Sequence, residues 1–117
     1  MPRVKKPKYT MAEADRLFSL LIREAGKCFK CQSTYHLQCA HIISRTYKAI
    51  RYNPDNALCL CQKCHFYYTY HYIEWEDFID EKLPNRRQAL RKLALNYQTP
   101  DYPAIIEGLI GQMGIGI

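Results

Sequence analysis

Apolar residues recur at helical spacing early in the chain. Ala14, Leu17, Phe18, Leu21 and Ala25 share one face of a 3.6-residue repeat, and Gly26 follows as a stop. Ahead of them, Thr10-Met11-Ala12-Glu13 reads as a capping box, with Thr10 at the N-cap and Glu13 reaching back from the third helical position. The pattern predicts a helix over residues 10–26. The period then shortens: Tyr35 to Ile43 is β-prone and mostly apolar, and Ala57-Leu58-Cys59-Leu60 is a brief second strand. Between them Ser44 to Asn56 is a basic, tyrosine-containing loop ending in the turn signal Asn53-Pro54-Asp55-Asn56. A helix is expected from near Lys63 through His65 to about His71. Three more helical stretches follow. Glu74 to Leu83 has Ile73, Trp75, Phe78 and Ile79 as its apolar face, and Pro84-Asn85 breaks it. Arg86 to Tyr97 places Leu90, Leu93 and Ala94 inward and stops at Thr99-Pro100. Tyr102 to Met113 is the last, and Gly111, Gly114 and Gly116 predict that the final residues fray.

With 117 residues the chain has room for one compact domain. Its expected parts are a basic arm (1–9), the first helix (10–26), a central unit (27–72) and a helical appendage (73–117). No apolar run approaches the roughly 18–20 residues of a membrane span, and no apolar stretch follows the basic start, so neither a membrane protein nor a secreted precursor is expected. Net charge is +6, from 17 basic against 11 acidic residues, and its placement matters more than its size. Residues 1–8 carry four positive charges and no negative one. Residues 27–71 hold Lys27, Lys30, Arg45, Lys48, Arg51 and Lys63 against Asp55 alone. Every cysteine and every histidine falls in that second basic segment. Such a field concentrates phosphates, although a merely solvated lysine-rich surface would look the same by charge alone.

The cysteines change the picture. Cys28-Phe29-Lys30-Cys31 and Cys61-Gln62-Lys63-Cys64 are two CxxC pairs 29 residues apart. Each makes a tight knuckle whose thiolates point at one centre, and two knuckles supply the tetrahedron of sulfurs that zinc prefers. Structural zinc at Cys28, Cys31, Cys61 and Cys64 is therefore expected, in a reducing compartment that keeps the thiols free. Cys39 and Cys59 stand outside this spacing and read as small buried hydrophobes.

Between the knuckles lies Ala40-His41-Ile42, then Asn56 fifteen residues after His41, then His65 nine residues further, directly behind Cys64. His, Asn and His threaded through a CxxC pair resemble the HNH, or ββα-metal, nuclease family. The likeness covers residues 28–71, under half of the chain, and is nearest to phage HNH proteins with zinc knuckles.

The resemblance implies an α+β fold: a small zinc-stapled ββα-metal unit with an N-terminal helix and a helical C-terminal region. It implies that His41 is the general base, at the end of the first strand and facing the helix. Asn56 would pin the loop that orients His41, and His65 would bind a catalytic magnesium or manganese ion. In many members the residue before the base is an Asp or His that also binds the metal; here it is Ala40, which cannot. Thr69, four residues after His65, could contribute through water, whereas His71 sits about 240° around the helix from His65. Arg45, Lys48 and Arg51 are candidates for DNA phosphate contacts. The tyrosines at 67, 68, 70 and 72 are read mainly as packing, with base stacking as the lesser alternative. His36 and His71 are read as structural.

The expected function is thus a metal-dependent DNA endonuclease, encoded by a phage or mobile element and acting in the cytoplasm of an infected bacterium. A homodimer or a phage DNA-processing protein is the expected partner besides DNA. Two alternatives stay open: a zinc-stabilised DNA-binding module without turnover, and a branched-DNA (Holliday junction) resolvase.

Overall fold

The computed structural model describes residues 8–114. Thr10 caps the first helix, α1 (Met11–Arg23), by accepting a hydrogen bond from the Glu13 backbone N–H at 3.1 Å. The other half of the expected capping box is not made. The Glu13 carboxylate turns forward to Arg16, whose Nε donates to it at 2.8 Å. α1 also ends three residues early, so Ala25 lies exposed beyond it, before Gly26 turns the chain at φ +78°. Among the described residues there follow β1 (Leu37–His41), β2 (Ala57–Cys61), α2 (Gln62–Tyr70), α3 (Tyr72–Lys82), α4 (Arg86–Ala94) and α5 (Tyr102–Gln112). Short 3₁₀ turns at Lys48–Ile50 and Pro54–Asn56 interrupt the long loop. The fold is α+β: five helices around a two-stranded antiparallel sheet. The basic arm falls almost entirely in residues 1–7 and the expected fraying in 115–117, both outside the described residues.

β1 is shorter than the Tyr35–Ile43 expected. His36 sits at φ +49°, a left-handed conformation that no strand continues through. At the other end Asn56 draws Ile43 into the loop. The strands pair from Leu37 opposite Cys61 to His41 opposite Ala57. Strand alternation then divides the core in two. Ala40, Ile42 and Leu60 join Tyr68 of α2, Trp75, Phe78 and Ile79 of α3 and Leu90 of α4. On the opposite face Ala57, with the half-buried Cys39, joins Ala14, Leu17 and Phe18 of α1 and Ile106, Leu109 and Ile110 of α5.

Two expected core residues face water instead. Ile73 is 75% exposed because it lies two residues before Trp75, half-way round α3 from the buried face. Leu93 is 46% exposed because α4 is a short helix that turns Leu90 and Ala94 to the core. No helix among the described residues is long and apolar enough to cross a membrane.

Candidate functional site

Cys28 and Cys31 flank a tight turn before β1, while Cys61 ends β2 and Cys64 sits in the first turn of α2. The antiparallel pairing carries the second knuckle to the first. All four sulfurs lie within 4.8 Å of one another, and Cys31 Sγ is 3.6 Å from Cys61 Sγ. Burial raises the Cys28 thiol, but backbone N–H bonds from Cys31, Cys61 and Lys30 outweigh it and bring it down to about 7. Burial and the hydrogen bonds shared with the other sulfurs push Cys64 up. Four sulfurs so close oppose one another's ionisation, and a divalent cation at their centre removes that opposition. The cluster could hold a metal ion such as zinc, whose tetrahedral shell the four sulfurs would fill, leaving no open position. Cys39 and Cys59 stay outside it. They face each other across the sheet, Cys59 buried and Cys39 half-buried, with burial pushing Cys39 up to about 12.

His41 ends β1. Its ring lies against Phe18 of α1, centroids 5.5 Å apart, so it leans toward the N-terminal helix rather than squarely toward α2. Its Nε2 is 3.0 Å from the Arg51 carbonyl oxygen. A carbonyl only accepts, so Nε2 carries the hydrogen and Nδ1 keeps its lone pair. Burial, with the Arg45 and Arg51 charges nearby, holds the imidazole below its ordinary value against the opposing pull of the Arg51 carbonyl. It is neutral at pH 7.

The loop behind His41 is held by Asn56, which is fully buried. Its Nδ2 donates to the carbonyls of Ile43 at 2.9 Å and Ile50 at 3.3 Å, and its Oδ1 accepts from the Ile43 N–H at 2.8 Å. Its own carbonyl accepts from the Ile42 N–H at 2.8 Å. One side chain thus satisfies three backbone groups that would each cost roughly 1–3 kcal/mol if buried unpaired.

His65, in the second turn of α2, has its Nδ1 2.7 Å from Gln38 Oε1. The amide oxygen accepts, so the proton sits on Nδ1 and Nε2 keeps a lone pair. Burial lowers this imidazole too. His41 and His65 line one cleft of about 220 Å³, whose wall includes Ala40, Ser44, Thr69 and Tyr72. Ala40 is only 3% exposed and leaves that stretch of wall without a ligand atom. Thr69 donates its hydroxyl hydrogen to the His65 carbonyl at 2.7 Å, which leaves its oxygen lone pairs available.

The remaining candidates sort clearly. Arg51 is held in a two-pronged pair with Asp15 of α1, Nε to Oδ1 at 2.9 Å and Nη2 to Oδ2 at 2.7 Å, while Arg45 and Lys48 are exposed. Asp15 also accepts from the Tyr52 hydroxyl at 2.9 Å. This pair fixes the stretch of backbone whose carbonyl holds His41. His71 bonds the Tyr67 carbonyl at 2.7 Å and stacks flat on the Tyr67 ring; it is not part of the cleft wall. The carbonyl of His36 accepts from the Gln62 N–H at 2.8 Å, a structural contact at the start of α2.

Sequence reasoning missed Gln38, Asp15 and Tyr52. Gln38 had a signal: it shares strand parity with Ala40 and Ile42, so it is a polar residue on the face that packs against α2. Asp15 had none, because an acid on the polar side of an amphipathic helix is ordinary. Compared with family models, curated proteins and solved structures, the chain matches none.

Proposed function

We propose that the protein is a metal-dependent DNA endonuclease of the HNH kind, working from the cleft between β1 and α2. The observation that carries this reading is the pair of histidines lining that cleft, each with one nitrogen tied as a donor and the other left with a lone pair. His41 Nδ1 would take a proton from the attacking water, the task of a general base that is neutral near pH 7. His65 Nε2 would hold a divalent ion, with water and DNA phosphate oxygens completing its shell. Bound there, such an ion supplies Lewis-acid polarisation of the phosphate and stabilises the leaving oxygen.

The donor set fits manganese better than magnesium, since a lone imidazole is a poor magnesium ligand and Ala40 adds no oxygen. The four-cysteine cluster would carry zinc and brace the strand–helix junction that places His65. Asn56 and the Asp15–Arg51 pair would hold the loop that positions His41. Exposed Arg45 and Lys48 would meet DNA phosphates, with affinity that falls as salt rises. A phage or mobile-element nuclease acting in a bacterial cytoplasm is the setting that goes with this reading and with free thiols.

The test is nicking of supercoiled plasmid with added manganese or magnesium. The full chain should nick, and His41→Ala should lose at least about a hundredfold while still binding DNA. Binding by both proteins with nicking by neither would make this a zinc-stabilised binding module.

A further inference from the structure

We propose that the outward stripe of α2 formed by Phe66 and Tyr70 is a stacking platform for the bases of an unpaired DNA strand. The proposal rests on DNA being the partner, and not on cleavage.

α2 is crowded with aromatic residues, yet only Tyr68 turns into the core, where it lies at 8% exposure. Tyr67 packs on His71 and donates its hydroxyl to Glu74 at 2.7 Å. Phe66 and Tyr70 have no such use. They are 67% and 70% exposed and meet each other, ring centroids 4.9 Å apart at a 56° tilt. As an i,i+4 pair the rings steady the helix only slightly, a small return for two large aromatic faces left in water.

The stripe's position gives it a partner. His65 and Thr69 line the cleft, and Phe66 and Tyr70 are the next residue in each case, about 100° further round the helix. The rings thus stand on the solvent side of α2, next to the stripe that lines the cleft and outside its wall. Exposed Lys63 lies on the same side one turn earlier. The two ring centroids are 4.9 Å apart, between one and two of the roughly 3.4 Å nucleotide steps along a strand, so the pair offers a single apolar patch to adjacent bases. A cation followed by two rings is the arrangement that binds a phosphate and the bases beside it. Bases in an intact duplex have their faces covered by their neighbours, so only an unpaired or branched segment can use the platform. A second copy of this chain is a poorer occupant. Two rings offer roughly 300 Å², against about 800 Å² per partner for a stable complex.

The experiment uses the full chain with its zinc and no added manganese or magnesium. Binding is followed by anisotropy of fluorescein-labelled oligothymidylate and of a labelled mixed-sequence duplex. Phe66→Ala/Tyr70→Ala should weaken oligothymidylate binding by about tenfold or more, and duplex binding by less than about twofold, with zinc content and far-UV circular dichroism unchanged. Phe66→Trp should keep the affinity, and its indole emission should be quenched by oligothymidylate and not by duplex. Equal losses on both DNAs, or no loss on either, would overturn the proposal. So would a wild-type dimer in sedimentation that the double variant abolishes, which would give the stripe to a second copy. If the wild type stacks oligothymidylate but never nicks, the nuclease reading fails alone. If the double variant nicks duplex and binds oligothymidylate as the wild type does, the stacking platform fails alone.

Discussion

Gln38 of β1 accepts the Nδ1–H of His65 from α2 at 2.7 Å, across the strand–helix junction that forms one wall of the cleft. This bond sets both the tautomer and the rotation of the imidazole, and leaves Nε2 as the nitrogen with a lone pair. Outer partners of this sort are worth about 10- to 100-fold in metal affinity. Gln38→Leu should therefore weaken manganese binding by at least about tenfold, read directly from the signal of free manganese in a spin-resonance titration. Metal-free DNA binding should not change. Unaltered manganese affinity in a folded Gln38→Leu protein would sink the assignment of His65 as ligand.

The lowered basicity of His41 has a sign that can be checked. Burial favours the neutral ring, so the folded protein keeps an unprotonated base to lower pH than a free imidazole does. Activity should fall as pH drops through that lowered value. The acid limb of the nicking rate should thus lie below the ordinary histidine value of about 6.5. A limb centred at or above that value would place the essential titration on another group.

Close to one equivalent of zinc per chain should be found in the purified protein. Cys28→Ser or Cys64→Ser should release it and leave protein that unfolds at lower temperature, because structural zinc contributes folding free energy outright. Elemental analysis that finds no zinc, together with two fully stable variants, would remove the metal reading of the cysteines.

Asp15 acts at a distance from the cleft. Asp15→Asn removes the charge that holds Arg51 and should cost about 1 kcal/mol, roughly 4 °C in melting temperature. It should also reduce nicking, because the Arg51 carbonyl that anchors His41 loses its brace. A loss of stability with nicking untouched would show that the carbonyl is held without Asp15.

Ala40 borders the same cleft as His65, nearly without exposure. Ala40→Asp should bring a carboxylate oxygen to the ion and lower the magnesium concentration needed for half-maximal nicking. A folded variant with the same or a higher requirement would mean that the ion sits away from Ala40, toward Thr69.

Much of this arrangement could be read ahead. The Thr10 cap, the two CxxC pairs and the Asn53–Asn56 turn are local signals, set by spacing and by side chains that bond their own backbone. The bonds of Gln38 and Asp15 could not be read the same way. They span 27 and 36 residues, and each depends on how an element rotates once it packs. Ile73 and Leu93 show the same limit from the apolar side. Hydrophobic spacing marks a helix, but in short helices such as α3 and α4 it leaves the choice among neighbouring stripes to the tertiary contacts.

The two faces of the sheet also differ in the order in which they can form. One is closed by α2, α3 and α4, which follow β2 directly, and it is pinned by a cysteine cluster spanning a modest stretch of chain. The other is closed by α1 and α5, from opposite ends of the described chain, joined even at Tyr9 to Glu107 across 98 residues. Closing so long a loop carries an entropy cost that is recovered only after the sheet exists to receive both helices. Assembly of the cysteine cluster and of the His65 side of the cleft would therefore come early in folding, and the clasp of first helix on last, with the seat of His41, late. Strain or truncation at the clasp would be felt first by Phe18 and Asp15, and through them by the side of the cleft that holds His41.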